Sequence, residues 1–191
     1  MKLDAKANKI RGMGQLWLWW VLLWFACVGS LNAQQNEQYV PPDRTTLLQA
    51  ARHIMEKVRY CAFITVDSSE TPRARIVDAF APDSQMVVWV ATNPRTRKVK
   101  QIQRNPRVTL FYWDPDGISY VAYTGTATLV SDPREKARHW KEAWKNFYQD
   151  RWRGEDYVLI RIQPTRIEVV SYEFGILNEP TSWRPPAVEF K

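Results

Sequence analysis

Two hydrophobic periods alternate along this chain, and each switch between them marks an element. Leu47, Leu48, Ala51, Ile54, Met55 and Val58 recur at three- and four-residue spacing, which lays one apolar stripe along a helix. Asp43 is of a capping type, so the helix is predicted to start at Arg44. Period two then takes over. Residues 61–66, 73–80, 86–91, 108–113 and 119–130 read as strands rich in β-branched and aromatic side chains. Turn residues 67–72 join the first two as a hairpin, and Asp114-Pro115-Asp116-Gly117 joins the fourth to the fifth. Gly125, inside the long fifth strand, predicts a bulge or bend. A short helix is predicted over 96–104, stopped before Asn105-Pro106. A second is predicted from the Ser131-Asp132-Pro133 cap to about Phe147. Residues 157–163 and 166–172 read as two last strands hinged at Pro164, and residues 178–191 as an extended proline-rich tail. Short antiparallel strands with a few helices make a small barrel of the α+β class.

The N-terminal segment follows other rules. Lys2, Lys6, Lys9 and Arg11 precede an uninterrupted apolar run over 16–28, and small and polar residues end at Leu31-Asn32-Ala33. That order is a secretory signal peptide over 1–33, cut after Ala33 and followed by a linker over 34–42. The expected location is therefore exported, periplasmic or extracellular, with membrane anchoring by an uncleaved segment as the alternative. Cleavage changes the charge: the formal +7 of the chain, less the segment's +3, leaves +4. A mildly basic domain with no recognised binding motif predicts no nucleic-acid partner. Cleavage also removes Cys27 and leaves Cys61 alone, so no intramolecular disulfide is expected.

The candidate chemistry lies in 88–99. A buried strand ends at Thr92-Asn93, turns through Pro94, and enters a helix that opens with Arg97-Lys98. Cations at a helix N-terminus oppose the helix dipole, and a bound dianion would compensate for them. Arg75 and Arg73 lie two apart on the second strand and share a face. If that face meets the helix start, the cations form a phosphate pocket, with Arg acting as a planar fork and Lys as a point charge. Taken alone, the same residues also fit a solvated basic surface.

Arg75-Ile76-Val77, Val90-Ala91-Thr92-Asn93 with Arg97-Lys98, and Asn105-Pro106-Arg107-Val108 leading to Phe111-Tyr112-Trp113 stand in a telling order. Over 47–138 the chain resembles the pyridoxamine 5′-phosphate oxidase-like superfamily, in its general-stress flavoprotein branch. The resemblance implies a mainly antiparallel split β-barrel (Greek key) with flanking helices over 43–177. It implies bound FMN in a homodimer, with the flavin at the subunit interface. Arg75, Arg97 and Lys98 would hold the FMN phosphate. Ile76 and Val77 would pass their backbone by the flavin ring, Thr92 and Asn93 would meet its edge, and Trp183 or Arg184 would cover the partner's flavin.

Departures from the oxidase set the substrate apart. Phe80 stands where the oxidase has a basic residue, Tyr120 where it has a flavin-contacting Gln, and its C-terminal Arg and His motif is missing. The expected function is a flavin-dependent oxidoreductase of unassigned substrate, not a true pyridoxamine 5′-phosphate oxidase. Two alternatives remain at this stage: a non-enzymatic flavin-binding or redox-sensing module, and a haem-binding split barrel that would have to use His53 or His139. Catalytic residues are not assigned, and no metal ligands are expected.

Overall fold

Asp43 starts the folded domain. Its carboxylate accepts from the amides of Thr45 and Thr46 at 2.8 and 3.1 Å, and helix α1 runs from it over Arg44–Val58. A computed structural model describes residues 39–191, and Val40–Lys191 forms one unit. The signal segment and the first part of the linker lie outside the described residues. Strands β1 (Tyr60–Val66), β2 (Pro72–Asp78) and β3 (Val88–Thr92) follow, then helix α2 (Arg97–Arg104) and strands β4 (Arg107–Asp114) and β5 (Ser119–Val130). Helix α3 (Pro133–Arg138), two 3-10 turns (Glu142–Trp144 and Arg151–Arg153), β6 (Val158–Ser171) and β7 (Ala187–Glu189) complete the chain.

The strands form one antiparallel sheet in the order β2-β1-β4-β5-β6-β3, with β7 on β6. Its two edges meet at one place, where Ala79 bridges Val90 and the Phe80 amide donates to Trp89 O at 2.9 Å. Away from that bridge β2 and β3 separate, so the barrel is split along this seam. Inward side chains of alternating parity fill it: Phe63, Leu110, Tyr112, Tyr123, Ile160 and Ile162 are fully buried. Helix α1 adds Leu47, Ala50, Ala51, Ile54 and Met55 to the same core.

Three expectations change. The predicted helix to Phe147 ends at Arg138, with His139 as its C-cap. Lys141 is drawn to Asp78 Oδ1 at 2.7 Å and Ala79 O at 3.2 Å. Trp140 packs its ring against Trp144, Tyr148, Trp152 and Tyr157. These long-range contacts override the local helical spacing. The two last strands are one strand, β6, which passes through Pro164 without a hinge. Pro164 faces Gly125 where the β5–β6 register shifts, so its missing N–H falls at a bulge that tolerates the gap. Within the proline-rich tail, β7 pairs with β6 and buries Val188. Arg44 Nη1 secures this end by donating to Glu189 O at 3.0 Å.

Candidate functional site

The seam between β2 and β3 opens into a cleft of about 400 Å³, within the range of small-molecule sites, roughly 300–1,000 Å³. One wall is β2, with Arg75, Ile76, Val77 and Asp78, and Ala91 and Lys98 lie across from it. Trp144, Phe147 and Tyr148 form the third side.

Arg75 is fixed from behind. Its Nη1 donates to Thr65 Oγ1 at 2.6 Å and to Phe63 O at 3.1 Å, and its Nη2 donates to Gln101 Oε1 at 3.0 Å. Thr65 is fully buried, and its hydroxyl donates to the same Gln101 oxygen at 2.6 Å. All the acceptors are neutral. Burial lowers the Arg75 pKa, and the nearby Arg97 charge lowers it further.

Lys98 comes from the start of α2. The turn before it is closed by Asn93, whose Oδ1 accepts from the Arg95 amide at 2.9 Å and whose carbonyl accepts from the Thr96 amide at 3.1 Å. Thr96 is the N-cap, but its side chain makes no capping hydrogen bond. It accepts from Lys98 Nζ at 3.3 Å instead, while Thr92 Oγ1 accepts from the same ammonium at 2.6 Å. The helix therefore begins without a side-chain cap, its Val99 amide bonded only to the Thr96 carbonyl at 3.1 Å, beside an ammonium that faces only hydroxyls. Burial lowers the Lys98 pKa, and the Arg75 charge adds to that. Among the described residues no carboxylate pairs with Arg75 or Lys98. Two half-buried like charges share one cleft, and this arrangement is unfavourable until an anion enters.

Asp78, the acid in the cleft wall, cannot supply that charge. Arg59 grips both its oxygens at 2.7 Å and Lys141 reaches it at 2.7 Å. Burial pushes its pKa up, but the two cations outweigh this and hold it below the ordinary value. The Tyr148 phenol is raised, by burial first and then by Asp156.

Arg75, Ile76, Val77 and Lys98 thus meet in one cleft. Thr92 adjoins it by holding Lys98. Asn93 is occupied in closing the turn. Arg97 lines a neighbouring basic cleft and acts on Arg75 only through its charge. Trp183 is 77 % exposed, sits at φ 57° in a turn closed on Glu179, and does not line the cleft. His53 contacts Glu173, and His139 stacks on Trp89 with ring centroids 4.2 Å apart; neither reaches the cleft.

Sequence reasoning missed Thr65, Gln101 and the aromatic side. Thr65 carried a signal, because it is the one polar residue at an inward position of β1, in line with Cys61 and Phe63. Gln101 lies one turn beyond Arg97 on α2. The aromatic side carried no local signal, because long-range contacts place it.

Residues 47–171 match the family model described as pyridoxamine 5′-phosphate oxidase. Among solved structures the chain is similar to general stress protein 26 from Bacillus anthracis str. Sterne, at 22 % identity over 74 % of this chain and 97 % of that one, with a TM-score of 0.61. A protein related to general stress protein 26 from Clostridium acetobutylicum gives 18 % identity, 69 % and 92 % coverage, and a TM-score of 0.61. A pyridoxamine 5′-phosphate oxidase-related, FMN binding protein from Nostoc punctiforme PCC 73102 gives 14 % identity, 81 % and 100 % coverage, and 0.57. At these identities the structural matches establish a shared fold. No curated protein matched the chain.

Proposed function

The chain belongs to the pyridoxamine 5′-phosphate oxidase family, and from that premise we propose that it is an FMN-binding flavoprotein serving as a flavin-dependent oxidoreductase on a substrate other than pyridoxamine 5′-phosphate. The observation that carries this reading is the pair Arg75 and Lys98, which line one cleft with no counter-charge. Supporting it are the start of α2, which lacks a side-chain cap, and the FMN binding of a structural neighbour.

Arg75 and Lys98 would hold the phosphate, with Thr92 fixing the ammonium and Thr65 and Gln101 fixing the guanidinium. Ile76 and Val77 would border the ring, and Trp144, Phe147 and Tyr148 would exclude water from it. When bound, FMN supplies hydride-transfer chemistry. The place of the oxidase's basic residue supports a different substrate. Phe80 packs edge-on to His139 and Trp144 there, and the cation above it, Lys141 at 4.4 Å, is already paired with Asp78.

Purified protein should show the twin flavin absorbance bands and release FMN on denaturation. A colourless protein that ignores added FMN sinks the reading. A Soret band would point to haem instead. FMN affinity should also fall as pH rises through the lowered Lys98 pKa, because loss of that proton removes half of the phosphate grip. Isothermal titration across neutral to alkaline pH checks this, and a flat profile argues against Lys98 as a phosphate ligand.

One observation favours a second reading, a flavin-binding module without turnover. Among the described residues that line the cleft, Asp78 is the one carboxylate; it is held ionised by two cations and is a poor proton donor. Stopped-flow mixing with NADH and NADPH separates the two readings, since a module shows no productive reduction.

The dimer implied by the resemblance is also proposed. Ile76 (70 % exposed), Trp113 (48 %) and Phe111 (37 %) lie on the outward sheet face, where Phe111 stacks on Tyr120 with centroids 5.5 Å apart. Ile76, Ala62 and Phe111 form one cross-strand row, and Ile76 also lines the cleft. A second copy on this face would therefore complete the flavin site. Phe111→Arg should convert dimer to monomer in light scattering and weaken FMN binding at the same time. A monomeric wild type that binds FMN fully would refute the shared site.

A further inference from the structure

Helix α2 carries more positive charge than the cleft beside it uses. Arg97, Lys100, Gln101 and Arg104 are spaced three and four residues apart and form a stripe along the helix. That stripe lines a second cleft of about 330 Å³, with Arg73 and Asp67 contributed by β2 and the hairpin turn. The Asp67 charge is already used. Its Oδ2 accepts from Arg73 Nε at 2.7 Å, and its Oδ1 accepts from the Ser69 and Thr71 amides at 2.8 and 3.1 Å. Among the described residues no carboxylate pairs with Arg97, Lys100 or Arg104.

A solvated basic helix is the simpler alternative, and two features weigh against it. Helices that tolerate many cations normally intersperse acids at three- and four-residue spacing. Here Arg97–Lys100 and Lys100–Arg104 are like-charge neighbours at those spacings, and α2 has no acid at all. The second feature is Gln101. Its Oε1 is taken on the inner side by Thr65 and Arg75. An amide oxygen fixed by two donors fixes the amide nitrogen as well. That nitrogen has no acceptor among the described residues, on a side chain that lines the basic cleft. Three cations and an oriented amide donor therefore converge without a counter-charge.

We propose that this second cleft is an anion subsite that takes a phosphoryl group, separate from the one gripped by Arg75 and Lys98. Gln101 forms the wall between the two, with its oxygen turned to Arg75 and its amide donors left for the second anion. The phosphoryl group has two sources: the distal phosphate of a flavin dinucleotide spanning the start of α2, or a free phosphorylated small molecule. The dinucleotide source rests on the flavin reading above, whereas the free-ligand source does not.

The test is isothermal titration at fixed ionic strength with FMN, FAD and inorganic pyrophosphate as separate probes. Wild type is compared with Lys100→Glu/Arg104→Glu and with the milder Lys100→Gln/Arg104→Gln. Both positions are exposed and lie outside the first cleft, and circular dichroism checks the fold. FAD binding at least tenfold tighter than FMN, with the advantage lost in the variants while FMN affinity is unchanged, supports the dinucleotide source. Equal FAD and FMN affinities, with pyrophosphate binding to FMN-loaded protein at least tenfold weaker in the variants, support the free ligand. If no flavin binds but pyrophosphate binding still drops tenfold in the variants, the flavin reading falls and the second subsite stands. If the variants weaken FMN, FAD and pyrophosphate equally, or weaken none, the cationic stripe is a solvated surface and the proposal is overturned.

Discussion

Lys98→Met is expected to weaken FMN binding by ten- to a hundredfold while making the flavin-free protein more stable. The two effects have opposite signs for one physical reason. In the empty cleft the ammonium is half-buried, faces two threonine hydroxyls, and sits near Arg75. Burial and the like charge both disfavour its charged form, so a neutral side chain of similar length relieves the folded state. When a phosphate dianion enters, the same ammonium gains a charge-assisted hydrogen bond. Such bonds contribute about 1.5–3 kcal/mol, and each 1.4 kcal/mol or so is tenfold in affinity. Arg75→Met should weaken binding comparably, but without the gain in stability, because it leaves Thr65 and Gln101 short of a partner. The double variant should lose less than the sum, since both cations act on one dianion. Calorimetric titration with FMN and thermal melts of the apoprotein measure the two halves. An FMN affinity within twofold of wild type in Lys98→Met would remove the phosphate grip from the argument.

How much of this was legible in the sequence depends on the range of the forces involved. The α1 stripe, the hairpin and β5 are written in local period and turn chemistry, and they form where those patterns place them. Arg75 and Lys98 could be nominated because a strand parity and a helix start fix their directions. Asn93 and Trp183 could be nominated only by resemblance. The structure shows Asn93 spending its side chain on the turn and Trp183 exposed in a turn of its own. Residues 139–147 were misread as helix because their placement is non-local. Lys141 ties to Asp78 across the barrel seam, and the buried Lys136 donates to Gly154 O at 2.8 Å. Neither tie leaves a pattern in the segment itself. The aromatic side of the cleft was missed for the same reason.

Gly125→Ala is expected to lower the melting temperature by about 10 °C, far more than one methyl group suggests. A Cβ at this position would lie 2.4 Å from Gln163 O, 2.9 Å from Ile162 Cγ2 and 3.1 Å from Tyr123 Cε1. The nearest of these is backbone, and it belongs to β6 where that strand pairs with β5 along its length. Neither strand can step aside without breaking ladder hydrogen bonds on both sides of the bulge. Ile162 and Tyr123 are fully buried, and the Tyr123 hydroxyl is fixed by donating to Met86 O at 3.0 Å and Ile162 O at 2.9 Å. Overpacking in such a site costs about 1–3 kcal/mol or somewhat more. Each kcal/mol shifts the melting point of a domain this size by about 2–4 °C. Gly175→Ala is the informative comparison. Gly175 has φ +63° but nothing within 4 Å of an added Cβ, so it should lose only the backbone strain of about 1 kcal/mol. The bulge at Gly125 therefore does two jobs that only glycine meets: it lets β6 carry Pro164 through the sheet, and it brings the two strand backbones together over Tyr123. A Gly125→Ala protein that melts within 2 °C of wild type, or no lower than Gly175→Ala, would show that the strands can part there.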